Sequence, residues 1–335
     1  MYTIEKKEVV IETQKTAIVI GAGGFIGSHV AARLKRDGYW VRGVDLKVPE
    51  FSNSACDEFF IGDCRNSQVV EYIINQKVDR VFQLAADMGG IGYIGNIDND
   101  ADVMTNSAKI NLNVLDSARR QGIEQVFFSS SACVYNEFNQ VDPQNPDCRE
   151  DTAYPAHPDT EYGWEKLFSE RLYLSYNRQY GMRNRIARFH NIFGEHGTWQ
   201  GGKEKAPAAI CRKVAMASEG GEIEIWGDGF QTRSFLHIDD CVEGIMRLMD
   251  SDFSGPVNIG SDHLISINDL VLTVSGIADK TITIKHIVGP QGVRGRNSNN
   301  DLIREKLNWV PTQDLYAGLT KTYNWIVEQV KASQQ

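Results

Sequence analysis

Residues 16–20, Thr-Ala-Ile-Val-Ile, form an apolar run that stops at a glycine loop, the pattern of a strand buried on both faces. From 24 to 37 the side chains Phe25, Ile26, Val30 and Leu34 follow helical spacing up to Gly38. Strand-like runs return at 40–44, 57–61, 79–84, 125–129 and 184–189, with helical stretches between them. Such alternation predicts an α/β fold, a doubly wound parallel sheet covered by helices on both faces.

After Phe189 the rhythm breaks. Residues 190–206 are rich in Gly, His, Asn and Lys, a loop composition suited to binding. The pattern then predicts a helix over 207–218, a strand over 222–226, a turn at 227–229, strands at 234–237 and 257–259, and helices over 266–276 and 315–331. The expected division is a dinucleotide-binding domain over 1–189, with segments near 234–262 returning to it. Residues 190–335 form a second, smaller mixed α/β domain that mainly binds substrate.

Composition narrows the class. With 335 residues, 41% hydrophobic and 24% charged, the chain is long enough for a large core and ordinary for a soluble protein. A net charge of −9 argues against nucleic acid as a partner. No apolar run reaches the roughly 18 residues of a membrane span. The opening Met1–Lys7 is followed by no apolar stretch of a secretory signal. Cys56, Cys64, Cys133, Cys148, Cys211 and Cys241 have neither metal-ligand nor disulfide-framework spacing. They read as reduced thiols, so the expectation is a cytoplasmic protein without a metal site.

The first loop carries the clearest chemistry. Gly21-Ala22-Gly23-Gly24-Phe25-Ile26-Gly27 places G-x-x-G-x-x-G after a strand and at the start of a helix. Gly21 permits the tight turn, Gly24 the approach of a pyrophosphate, and Gly27 close packing of helix on strand. The amides opening the helix, at Phe25 and Ile26, favour phosphate. Asp45 ends the next strand 18 residues beyond Gly27, where a carboxylate takes the ribose 2′-OH and favours NAD over NADP. Lys47 works slightly against that preference. Asp63 either contacts adenine or caps a helix over 66–76. Ala85, in Leu84-Ala85-Ala86, is small enough for the dinucleotide to lie close. The fold class is therefore of the Rossmann type.

Tyr162 and Lys166 lie one helical turn apart, on one face. A phenol of pKa about 10 takes a substrate proton at neutral pH only if its phenolate is stabilised, here by Lys166 and a nicotinamide ring. Ser131, at the end of the fifth strand, orients the same oxygen. Cys133 comes two residues later, on the same side if the strand continues. A thiol can exchange protons with the acidic C–H beside a ketone. Inverting a carbon needs a second acid/base group, and Lys205, just before Pro207, is the candidate; a surface loop lysine is the alternative reading. Gln231-Thr232-Arg233 and the Gly292–Asn297 loop with Arg294 and Arg296 suit an anionic ligand, with Asn191 and Lys213 beside them. Arg294 pairs equally well with an acidic neighbour.

These residues, with Ala85–Gly90, Ser130–Cys133, Arg188–Gly194, Lys205–Ala209, Trp226–Phe235 and Gly292–Ser298, resemble the extended short-chain dehydrogenase/reductase family and, within it, the GDP-mannose 3,5-epimerases. The resemblance implies a GDP-sugar substrate, GDP-D-mannose, converted to GDP-L-galactose, with GDP-L-gulose after inversion at C5 alone. It implies bound NAD, Tyr162 acting at C4, and Cys133 with Lys205 as the acid/base pair at C5 and C3. Substrate contacts then fall on Gly90, Ser131, Ala132, Cys133, Asn191, Glu204, Lys205, Ala206, Lys213, Gln231, Thr232, Arg233 and Arg296. A homodimer is implied as well. The competing readings are a 4,6-dehydratase, which would carry Asp-Glu beside the active-site serine or threonine, a sugar-nucleotide 4-epimerase, which needs no thiol at position 133, and a non-catalytic dinucleotide sensor, for which a broken Tyr162–Lys166 pair would be the sign.

Overall fold

Alternate residues of the first strand, β1 (Thr16–Ile20), enter different cores: Ala17 and Val19 one, Ile18 and Ile20 the other. This double burial accounts for the unbroken apolar run. The computed structural model describes residues 14–334. β2 (Trp40–Asp45), β3 (Glu58–Ile61), β4 (Arg80–Gln83), β5 (Val126–Ser131) and β6 (Arg185–Phe189) come next, each parallel to its neighbours. The remaining strands are β7 (Ile192–Phe193), β8 (Glu222–Trp226), β9 (Thr232–Ser234), β10 (Leu236–His237), β11 (Val257–Ile259), β12 (Leu264–Ser266), β13 (Thr283–Ile287) and β14 (Gly295–Arg296). The helices, in chain order, are α1 (Phe25–Arg36), α2 (Ser67–Ile73), α3 (Ile91–Ile94), α4 (Asp100–Arg120) and α5 (Glu161–Tyr180). They continue with α6 (Ala206–Met216), α7 (Ile238–Asp250), α8 (Ile267–Ile277), α9 (Asp301–Leu307) and α10 (Leu315–Ser333).

The main sheet has seven parallel strands in the order β11-β6-β5-β4-β1-β2-β3. Strand order reverses between β1 and β4, so the loops leaving these two strands border a crevice at their carboxyl ends. Open α/β sheets bind ligands there. One face packs Val30, Leu34, Ile245, Met249 and Ile303 from α1, α7 and α9. The other packs Val70, Val114, Leu115 and Tyr173 from α2, α4 and α5. A third core joins α6, α8 and α10 through Ile210, Val214, Leu270, Val274, Leu319 and Ile326. It is bordered by the parallel pair β8–β13 and the three-stranded β12-β9-β14.

Several elements depart from the sequence-based expectation. The helix expected over 66–76 is only Ser67–Ile73, because Asn66 caps it and the backbone leaves helical geometry at Ile74. The strand expected over 234–237 is interrupted, so Thr232–Ser234 and Leu236–His237 join different sheets. α7 begins directly after β10 with no linking residue, which merges the two patterns. β13 escapes detection because it pairs only with β8 and none of its residues is fully buried.

Candidate active site

The loop after β1 is closed on itself. Gly21 holds φ at +90°, and a Cβ on Gly27 would stand 1.9 Å from the Gly21 carbonyl oxygen. Only hydrogen fits between them. Gly24 caps α1 without a side chain, and the first turn has no acidic residue. The opening amides of Phe25 and Ile26 are therefore free for an anion. Asp45 reaches over from β2, accepting from Gly23 N at 3.0 Å and Leu46 N at 2.7 Å. Ala85 lies against the loop, its nitrogen 2.8 Å from the place a Cβ on Gly21 would occupy. Asp63 does not cap α2; its carboxylate takes the backbone N–H and guanidinium of Arg65, which lowers its pKa. The cradle fits a dinucleotide. A Gly27→Ala substitution is expected to cost roughly 1–3 kcal/mol and to abolish dinucleotide retention. Thermal melting and cofactor content after purification measure both.

Ser131 ends β5, and its hydroxyl accepts from Cys133 N at 3.2 Å across a single 3₁₀ turn, Ala132–Val134. Cys133 thus reaches the site by a turn and not by the strand alternation expected from sequence. α5 starts at the Thr160 cap and carries Tyr162, 6% exposed, and Lys166, 1% exposed. Lys166 Nζ donates to Ser129 O at 2.8 Å and lies 5.6 Å from the centre of the Tyr162 ring. Burial lowers the Lys166 ammonium, with Glu165, Cys133 and Glu170 acting against it. Burial also raises the Tyr162 phenol, as do Cys133 and Glu165, while the Ser131 hydroxyl opposes them. Both shifts run against the expected phenolate–ammonium pair, so the chain alone keeps Tyr162 a phenol.

Ser131, Cys133 and Tyr162 line a cavity of about 370 Å³ together with Lys205, Asn191, Gln231, Arg233 and Arg296. Lys205 caps α6, whose second residue is Pro207. Among the described residues its ammonium makes no hydrogen bond or ion pair. Burial lowers its pKa, against the opposing effect of Cys133 and Cys241. A lysine shifted this way exchanges protons closer to neutrality. Arg296 donates from Nη1 to Cys133 Sγ at 3.2 Å and from Nε to Gln140 Oε1 at 2.6 Å, with Asp159 at 3.5 Å. Burial works against its charge, but Cys133 and Asp159 prevail and raise its pKa.

The two arginines meet through strand register. β9 and β14 run parallel with Arg233 beside Arg296, residues 63 positions apart in the chain. Arg233 donates to the carbonyls of Thr232, Gln291 and Val293. Its pKa is pushed down to about 10, by burial first and Arg296 second. Gly90, Ala132, Glu204, Ala206 and Lys213 also line the cavity. Lys213 donates to Glu224 O, and Asn191, at φ +43°, donates to Ser234 O at 3.1 Å. Thr232 is not brought to the cavity; its hydroxyl turns to the Pro143 carbonyl. Arg294 pairs with Asp228 at 3.0 Å. Sequence reasoning missed Arg212, Asp159, Trp226 and Gln291 on the cavity wall. Arg212 meets Glu204 at 2.9 Å across eight positions, beyond the spacing of a helical ion pair, so no local signal announced it.

Residues 17–260 match the NAD dependent epimerase/dehydratase family. The chain is 49% identical over 317 residues to GDP-mannose 3,5-epimerase of Arabidopsis thaliana, covering 93% of this chain and 82% of that protein. It is 48% identical over 315 residues, with the same coverage, to GDP-mannose 3,5-epimerase 1 of Oryza sativa subsp. indica. Among solved structures, UDP-glucose 4-epimerase of Thermotoga maritima superposes with a TM-score of 0.81 at 24% identity, covering 94% of this chain and 99% of that one. UDP-glucuronic acid 4-epimerase of Bacillus cereus, in complex with UDP-glucuronic acid and NAD, superposes at 0.79 and 23% identity, with the same coverage. At such identities the structures show the fold. The glycine cradle, the Tyr162–Lys166 pair and the long match to curated relatives agree, and the chain belongs to the NAD dependent epimerase/dehydratase family, in the branch of its GDP-mannose 3,5-epimerase relatives.

Proposed function

We propose that this protein converts GDP-D-mannose to GDP-L-galactose, with GDP-L-gulose as the product of inversion at C5 alone. The observation that carries the reading is one cavity lined by Ser131, Tyr162, Cys133 and Lys205, with the buried Arg296 and the part-buried Arg233 at its wall. The first two suit proton transfer at a hydroxyl, and the second two suit proton transfer at carbon. Arg233 and Arg296 supply guanidinium donors for the substrate's phosphates, with Lys213, Asn191 and Gln231 alongside. The sheet lobe, 1–189 with 234–262 returning, holds the dinucleotide, and the rest of the chain holds the sugar nucleotide.

When bound, NAD supplies a reversible two-electron oxidation at C4 and a positive ring beside Tyr162. Tyr162 takes the C4 hydroxyl proton, with Ser131 holding that oxygen and Lys166 fixed on Ser129 O beneath it. A ketone at C4 makes the C–H bonds at C3 and C5 acidic. Cys133, held against Arg296, and Lys205, at the start of α6, remove and return protons there from opposite faces. The two electrons withdrawn at C4 would return there from the same bound cofactor as Tyr162 gives its proton back to the C4 oxygen, so the sequence has no net redox change.

Incubation with GDP-mannose in deuterated water, with no cofactor added to the holoenzyme, is expected to place deuterium at C3 and C5. Product without label sinks the reading. A 4-epimerase or 4,6-dehydratase leaves Cys133 and its Arg296 contact without a task and is not favoured. The same reading includes a cytoplasmic homodimer. Leu112 on α4 and Phe168 on α5, 44% and 48% exposed on neighbouring helices, support the dimer. Among the described residues no helix is long and apolar enough to cross a membrane.

A further inference from the structure

Lys205 stands at the end of a loop with little stiffness of its own. Gly201 and Gly202 hold φ at +92° and +89°, backbone that glycine adopts freely and other residues rarely do. Contacts must therefore fix the loop. On one side Glu204 accepts from Gly202 N at 2.7 Å and from Arg212 of α6 at 2.9 Å. On the other side the loop crosses the start of α3. There Gly90 N donates to Lys203 O at 3.2 Å, and a Cβ on Gly90 would lie 2.9 Å from Glu204 O.

Beside this backbone contact, Lys203 Nζ stands 3.7 Å from the centre of the Tyr93 ring. The ring is itself anchored. Tyr93 O–H donates to Asp87 Oδ1 at 2.8 Å, Asn106 Nδ2 donates to Asp87 Oδ2 at 2.8 Å, and Asp87 N donates to Ser107 Oγ at 3.1 Å. Asn106 and Ser107 belong to α4, so the anchor is part of the sheet lobe. The bond to Asp87 raises the Tyr93 phenol, which stays a neutral donor. Tyr93 and Lys203 do not line the cavity, yet their neighbours Gly90, Ile91, Gly92, Gly202, Glu204 and Lys205 do.

We infer that the Tyr93 ring and the Lys203 ammonium form a clasp that sets the position of Lys205 against the substrate carbon. The inference rests on the reading of Lys205 as a proton carrier. Among the described residues the Lys205 ammonium has no polar partner, so no hydrogen bond or ion pair of its own holds it and the position of its loop matters the more. Proton transfer tolerates little displacement, a misplacement of about 1 Å costing on the order of a hundredfold in rate. A cation over an aromatic face is a contact that does not depend on matching hydrogen-bond angles. Tyr93 and Lys203 are positioning residues, acting through Lys205.

Four variants test this: Tyr93→Leu and Lys203→Gln, which break the clasp, and Tyr93→Phe and Lys203→Arg, which keep ring and cation. The breaking variants are expected to lower deuterium incorporation at C3 and C5 roughly tenfold. Formation of reduced cofactor on mixing with GDP-mannose stays unchanged, because C4 oxidation does not use Lys205. The double variant Tyr93→Leu/Lys203→Gln is no slower than either single one. The conservative variants retain exchange. An equal fall in both signals, additive losses, or full exchange in Tyr93→Leu overturns the clasp. Amide hydrogen exchange of the intact holoenzyme gives a readout independent of turnover. The amides of Gly90 and Gly202, bonded to the loop at Lys203 O and Glu204, lose protection in Tyr93→Leu and keep it in Tyr93→Phe; equal protection in both overturns the inference. If the unmodified enzyme leaves the sugar unlabelled, the epimerase reading falls, while this last comparison still decides the clasp.

Discussion

Cys133→Ala protein, given GDP-mannose in deuterated water, is expected to lose at least about a hundredfold of its label incorporation at C3 and C5. It should still accumulate reduced cofactor. The substitution removes one sulfur atom. Arg296, the neighbour that touches the sulfur, keeps Gln140 at 2.6 Å and Asp159 at 3.5 Å, so the site's frame survives. The competing view has its own signature. Cys133 is 9% exposed and packs with Ile94, Val103 and Tyr162, as a small core residue does. Were packing its whole task, C4 oxidation and carbon exchange would decline together with thermal stability. Normal exchange in the variant removes Cys133 from the mechanism altogether.

Tyr162→Phe is expected to silence both signals, because exchange at carbon depends on the ketone that C4 oxidation creates. The expected loss is on the order of 10²–10⁴-fold. The ring remains to fill its place beside Ile94 and Val103, so any fall reflects the missing hydroxyl. Reduced cofactor persisting in this variant identifies a different base. The pair of variants orders the chemistry: loss of Tyr162 stops every step, whereas loss of Cys133 spares C4 oxidation and stops only the later exchange at carbon. Burial of both Tyr162 and Lys166 makes the first test informative, since the chain alone raises the phenol and lowers the ammonium. On the proposed mechanism the cofactor's positive ring offsets that burial.

Much of the fold was legible because its signals are local. β1 reads as buried from its unbroken apolar run, and the glycine loop reads from its place between strand and helix. Tyr162 and Lys166 read from their spacing of one turn. What failed was the part assembled across distance. Thr232 looked equivalent to Arg233, yet strand alternation in β9 sends its hydroxyl to Pro143 and Arg233 to the cavity. Asp63 had two readings, adenine contact or helix cap, and Asn66 takes the cap. Arg212 and Asp159 carry no motif, and with Trp226 they enter the cavity from separate elements.

The amino-acid sequence alone determined the doubly wound sheet, the dinucleotide loop and the residue types of the proposed proton carriers. Each rests on periodicity or on neighbours within one turn or one loop, where chain connectivity sets the geometry. Tertiary structure alone decided that Arg296 would meet Cys133, that Arg233 would stand beside Arg296, and that the Lys205 loop would rest on Tyr93. Those contacts join residues far apart in the chain, through strand register and lobe packing. Their distances depend on how whole elements bury their apolar faces, which no local pattern encodes.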